Sequence, residues 1–314
     1  MIGVLTQFAP GLVNIFGLPF MQRALIAIAL LAIAAAIVGV FINFRELEFV
    51  SDGLVHAVFP GLVIGSISAG AAGLLPGAVG AALIAALLFT FLGSGRTQRA
   101  ASVGARDAGI AVVLTGLFSL GIVLVSRSES YVSQLQELLF GRILTVTKAQ
   151  LWQIAIVACV AAIVIAATRR AQLFRAFDRA GFEAAGFSVF RADLALNVAV
   201  ALLVVAGVQA LGVLMVVAIL VVPVAVARLV TRRLWLLAPI AALVTLAAGV
   251  AGLLASFEWS VSGSVPASPG ALIVLSLIAL YAFAIGTSAL VRRVARRGTR
   301  DAESPSLTER GECA

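Results

Sequence analysis

Residues 25–40, 54–75, 108–125, 151–167 and 271–291 form apolar runs that approach or exceed the ~20 residues a helix needs to cross a hydrocarbon core. Such runs are too long for a core helix of a water-soluble fold, and several end at arginine. Composition points the same way. The chain is 62% hydrophobic and 11% charged, with a mean hydropathy of +1.15, against roughly 25% charged residues in a soluble domain. A soluble fold of this size has no means of hiding so much apolar surface. A β-barrel would show ~10-residue segments of alternating polarity, and none occur. The expected fold class is therefore all-α, a polytopic transmembrane helical bundle.

Basic residues fall in clusters that alternate between loops. One set holds Arg45; Arg96, Arg99 and Arg106; Arg169, Arg170, Arg175, Arg179 and Arg191; Arg228, Arg232 and Arg233; and Arg292, Arg293, Arg296, Arg297, Arg300 and Arg310. Of the 22 Lys and Arg, only Arg23, Arg127, Arg142 and Lys148 lie in the other set. The positive-inside rule makes the crowded set cytoplasmic. Threading the chain through these faces predicts nine crossings near 22–43, 54–75, 76–94, 108–126, 148–168, 194–208, 211–228, 234–256 and 270–291. An eight-span version threads almost as well. The amino terminus is expected outside and the carboxyl terminus inside, with tight reversals at residues 75–77 and 209–210. Segments 126–147 and 257–269 read as solvated outer loops, and the charged tail 298–314 as disordered. Arg23 precedes a run longer than a signal-peptide core, and further spans follow, so the amino terminus does not read as a cleaved leader. Cys159 and Cys313 imply no disulfide framework.

Polar residues at membrane depth are costly and default to functional candidates. Asp52 and His56 are four apart, so on a helix they share a face. A carboxylate and an imidazole together suit Zn²⁺, Mn²⁺ or Fe²⁺. Two ligands cannot close a coordination shell, but a two-fold dimer would bring two of each to its axis. The competing explanation is that Asp52 caps a helix starting at Gly53 and that the chain's only histidine is incidental. Glu46 and Glu48 read either as interfacial charges or as an ion-attracting vestibule. Gly61, Gly65, Gly70, Gly73, Gly77 and Gly80 permit close helix approach, while Pro60 and Pro223 mark kinks or helix breaks. Segment 169–191 contains a short amphipathic, glycine-bounded core at 177–186, placed either to dock a partner or to rest in lipid headgroups. No G-x-x-x-x-G-K-[ST] is present, so ATP-driven work would need a separate subunit, and without H-E-x-x-H an intramembrane metalloenzyme is a poor reading.

Taken together, four motifs resemble one family. Residues 51–61, Ser-Asp-Gly-Leu-Val-His-Ala-Val-Phe-Pro-Gly, closely resemble the D-A-L-S-H-A-V-L-P-G signature of the zinc/manganese/iron-type ABC (ATP-binding-cassette) importer permeases. Residues 139–144 are similar to that family's L-F-G stretch. Phe177, Asp178, Gly181, Glu183 and Gly186 look like its coupling helix, and 212–227, with Pro223, like its G-x-L-L…P-A-x-x-A run. The resemblance covers roughly residues 20–290 with the motifs in family order.

The resemblance implies a single permease domain over 1–297, followed by the short tail, in a bacterial cytoplasmic membrane. It implies a dimer with a second copy or a related permease, ABC ATPase subunits inside and a metal-binding lipoprotein outside. Asp52 and His56 would line the ion route, and Pro60, Gly61 and Pro223 would shape it. The cargo would be a divalent transition metal, Mn²⁺, Zn²⁺ or Fe²⁺; neither a permanently bound cofactor nor a nucleic-acid partner is expected. Departures are Ala180 for an acidic residue, Gly53 and Val55 for alanine and serine, and the lack of an aspartate in 262–269. They leave the metal and a specialised cargo open, and the alternative of a different class is a membrane scaffold that has lost transport and assembles a surface complex. The threading puts Asp52 and His56 near the cytoplasmic end of the second span unless that helix breaks near Pro60.

Overall fold

Glycine and proline decide where the apolar runs become separate helices. The computed structural model describes residues 17–94, 103–126, 139–262 and 268–302. Its helices are α1 (Pro19–Phe44), α2 (Glu48–Ala57), α3 (Phe59–Ala69), α4 (Leu74–Ser94), α5 (Val103–Val125) and α6 (Lys148–Phe177). They continue with α7 (Arg179–Ala184), α8 (Val189–Leu211), α9 (Val213–Val230), α10 (Leu234–Ser262) and α11 (Pro269–Ala302). Among the described residues nine spans are long and apolar enough to cross a membrane, with α2 and α3 together forming the second.

The helix ends follow local chemistry. Pro19 opens α1 in the first turn, where its missing N–H costs nothing. Thr147 opens α6 with a capping box: its hydroxyl accepts the Gln150 N–H at 3.2 Å, and the Gln150 side chain accepts the Thr147 N–H at 3.0 Å. The span boundaries correct several expectations. The second span begins at Glu48 rather than 54. Its reversal lies at Gly70–Gly73, where Gly70 takes φ 58, not at 75–77. Pro76 instead sits in the first turn of α4, where proline is tolerated. The reversal expected at 209–210 lies at Gly212, whose φ of 79 and ψ of 163 end α8. Helix α6 runs nine residues past 168, with Arg169 and Arg170 exposed, because arginine stems tolerate a helical path out of the membrane. Helix α10 continues to Ser262, so the outer loop expected from 257 starts later; residues 127–138 and 263–267 lie outside the described residues. Helix α11 continues to Ala302 rather than stopping before 298, and residues 303–314 lie outside the described residues.

Helices α1, α8 and the α2–α3 pair form the interior, while α5, α6 and α11 are covered least. A row of alanines and Gly39 on α1 brings its backbone close to α9, where a Cβ at Gly39 would lie 2.6 Å from the Leu220 carbonyl. The α3–α4 hairpin is tighter still. Gly61 faces Gly77, and Gly65 faces Gly73, so that a Cβ on any of the four would run into backbone across the hairpin. Gly65→Ala is expected to destabilise the protein by about 1–3 kcal/mol through overpacking. Gly80→Ala, which meets open space, should leave the detergent-solubilised melting temperature close to wild type.

Candidate functional site

The second span is interrupted where its chemistry sits. Helices α2 and α3 meet at Val58, directly ahead of Pro60. Proline has no N–H to offer the carbonyl four residues back, which belongs to His56, and its ring crowds that turn. Pro223, by contrast, lies buried inside an uninterrupted α9.

Helix α2 turns Val50, Leu54 and Ala57 into the core, packing on α8, α4 and α9. Gly53 lets it lie against α4: a Cβ there would stand 2.9 Å from the Phe89 ring. Asp52 and His56 occupy the other face, toward α5, with side chains 35% and 23% exposed. Asp52 is not a helix cap, since α2 begins at Glu48, a full turn earlier. That removes the capping account of this carboxylate.

The histidine is held in one orientation. His56 Nδ1 lies 3.0 Å from the Asp52 backbone carbonyl and 3.5 Å from its Oδ1. A carbonyl only accepts, so Nδ1 is the donor in this contact, which leaves Nε2 as the ring nitrogen that can serve as a ligand. The edge of the ring contact is fixed by Phe118 of α5, 5.2 Å away and near perpendicular, which in turn rests on Phe59 at 5.5 Å. Gly121, three residues beyond Phe118, leaves room for the Phe59 ring. The pair thus offers a borderline nitrogen and a hard oxygen on one half-open face. Among the described residues no group of three or more His, Cys, Asp or Glu could hold a metal ion, so one chain offers at most this pair here. By helical rise Asp52 and His56 lie about 6 and 12 Å along the span from Glu48, toward the Glu48 end of the span.

The predicted coupling residues form a second, compact feature. The Asp178 carboxylate caps α7 by accepting the Gly181 N–H at 2.7 Å, and a Cβ at Gly181 would run into that carboxylate. Glu183 pairs with Arg179 at 3.3 Å. Gly186, at φ 79, turns the chain toward α8. Phe182 is buried, stacked on Phe187 at 5.1 Å and edge-on to Phe174 at 5.5 Å. Phe177 is largely exposed beside Phe44. A six-residue helix has little intrinsic stability, so its cap and its aromatic clasp hold it. Asp178→Ala is expected to cost about 0.5–2 kcal/mol, visible as faster hydrogen exchange confined to the α7 amides.

Sequence reasoning does not single out Asp193 or Gln172. Both are buried, and together with Arg45 and Arg175 they form a polar cluster at the base of α7, beside a cavity of about 290 Å³. The two other motifs meet one another. The Arg142 N–H donates to the Ala210 carbonyl at 3.0 Å, and Gly141, at φ 73, abuts the backbone of Leu211 and Gly212.

The ABC 3 transport family matches residues 17–287. A manganese transport system membrane protein, MntC, of Halalkalibacterium halodurans is 31% identical over 265 residues, covering 84% of this chain and 86% of that protein. The chelated iron transport system membrane protein YfeD of Yersinia pestis is 28% identical over 243 residues, covering 77% of this chain and 79% of its own length. The solved structure of PsaBC from Streptococcus pneumoniae in complex with Fab superposes with a TM-score of 0.74 at 26% identity, covering 88% of this chain and 95% of that one.

Proposed function

Because the chain belongs to the ABC 3 transport family, we propose that it is the permease subunit of an importer for a divalent transition-metal ion, with Asp52 and His56 as half of the cargo site. The observation that carries this reading is the pair itself. An imidazole held through Nδ1 and a carboxylate share the half-open face between α2 and α5, on a span interrupted at Val58 just ahead of Pro60. Discontinuous helices are where many transporters place their ion sites. A second copy, or a related permease, supplies the other two ligands across the dimer axis. Two pairs bind well enough to capture an ion and weakly enough to release it.

The relatives are named for manganese and chelated iron transport, which supports Mn²⁺ and Fe²⁺ as cargo, with Zn²⁺ admitted by the same ligands. The arginine-rich face is cytoplasmic by the positive-inside rule, which puts α7 inside and the amino terminus outside. There α7, with Phe177 and Phe187 exposed beside it, docks a separate ATPase. A lipoprotein delivers the ion from the opposite face. The test is ATP-dependent uptake of Mn²⁺, Fe²⁺ and Zn²⁺ into vesicles by the reconstituted complex. Uptake of at least one, stopped by withholding ATP, supports the reading; hydrolysis with no metal uptake by an assembled complex overturns it.

A further inference from the structure

We propose that Arg45, Gln172, Arg175 and Asp193 are positioning residues that carry the movement of α7 to the helix holding Asp52 and His56. The inference rests on the reading of α7 as the ATPase dock and of that pair as the cargo site. Its basis is the way the cluster joins three otherwise separate pieces of chain.

Helix α7 hangs between two stems, the end of α6 and the start of α8. Gln172 on the first stem donates its Nε2–H to the Ala192 carbonyl of the second at 2.8 Å. Arg175 reaches Asp193 across the same gap at 3.5 Å. With the Phe174–Phe182–Phe187 stack between them, the stems and α7 make one stiff unit. Arg45 then binds that unit twice. Its guanidinium donates to Gln172 Oε1 at 2.9 Å and to Asp193 Oδ1. The side chains of Arg45, Asp193 and Arg175 are only 5%, 10% and 12% exposed, so the bonds are little screened and costly to break.

Arg45 is the foot of a lever. It lies three residues ahead of α2, in a turn fixed by the Leu47 N–H to the Ile42 carbonyl at 3.0 Å and by Glu46 at φ 52. Helix α2 is ten residues long and ends at Val58, where the span is interrupted and where Pro60 leaves the His56 carbonyl without its helical donor. A displacement delivered at Arg45 therefore swings α2 about Val58, and Asp52 and His56 lie between foot and hinge. The polar cavity bounded by Arg45, Thr90, Arg175, Asp193 and Asn197 gives the foot room to move.

The experiment uses the permease–ATPase complex in vesicles and follows assembly, ATP hydrolysis, Mn²⁺ uptake and the position of α2. The last is read as the distance between spin labels at Phe49→Cys and Trp152→Cys, both exposed positions, in a background with Cys159 and Cys313 replaced. The link is removed in Arg45→Met/Arg175→Met/Asp193→Leu, since apolar replacement of a whole buried charge cluster tends to preserve folding. Arg45→Lys is the conservative partner, keeping the charge without the two-pronged fork. The expected result is an assembled triple variant that hydrolyses ATP but moves roughly tenfold less Mn²⁺ per ATP, an ordinary size for a coupling factor. Its nucleotide-dependent distance change should be lost, and Arg45→Lys should fall between the two. A triple variant with an undiminished distance change, or with wild-type uptake per ATP, overturns the link. So does failure of the triple variant to assemble with Arg45→Lys indistinguishable from wild type. If the wild-type complex shows the distance change but no metal uptake, the cargo reading fails and the link stands.

Discussion

Vesicles carrying Asp52→Ala with His56→Ala are expected to take up Mn²⁺ at least ~100-fold more slowly than wild type, because removing even an outer-shell partner of a metal ligand costs 10–100-fold. In a dimer the two substitutions delete four donors at once, leaving the ion no reason to shed water. The single variants separate roles. His56 is oriented through the Asp52 backbone carbonyl at 3.0 Å, so Asp52→Asn leaves the ring where it is and tests the carboxylate as a ligand alone. Asp52→Asn should lower uptake by ~10-fold or more with assembly and ATP hydrolysis retained. His56→Gln should do likewise by removing Nε2 while keeping a polar side chain of similar reach. A double variant that transports as well as wild type ends the assignment of this pair to the ion route.

The pair was legible because its information is local. A carboxylate and an imidazole four residues apart meet on any helix; the break near Pro60 was legible too, although Pro223 shows that a proline alone does not decide one. The spans were legible for a related reason, since their length and polarity are properties of single segments. Boundaries were less so. Arg169 and Arg170 look like a membrane exit, and they are exposed, yet α6 continues to Phe177 because Gln172 faces inward to bond Ala192. Only the partner stem makes that extension worthwhile. Arg45 and Asp193 are 148 residues apart in the chain, and nothing in either neighbourhood marks one as the other's counter-ion. Asp193, two residues from Arg191, reads as an interfacial charge until α8 is packed against α1, α2 and α6. The Gly141–Gly212 junction was half legible. Each glycine stood in a recognisable motif, but their contact is a tertiary fact.

That junction carries the largest expected stability effect. Gly212 has φ 79 and ψ 163, a region that residues with a Cβ occupy only at a cost of about 1–3 kcal/mol. It is also crowded, since a Cβ there would strike Gly141 N and stand 2.6 Å from the Leu139 carbonyl and 2.7 Å from the Phe140 carbonyl carbon. Backbone cannot rotate aside as a flexible side chain does, so overpacking adds about 1–3 kcal/mol more. Gly212→Ala should therefore lose about 2–6 kcal/mol, a large fraction of the ~5–15 kcal/mol that holds a domain folded. Gly186 separates the two causes. It has the same φ of 79 but nothing within 4 Å of its absent Cβ, so Gly186→Ala pays backbone strain alone, about 1–2 kcal/mol. Thermal unfolding in detergent should rank wild type above Gly186→Ala and Gly186→Ala above Gly212→Ala, with the last recovered in low yield. Equal melting temperatures for the two variants would mean that α8 and α9 can shift away from the 139–141 stretch. The corner would then be a flexible joint rather than a rigid one.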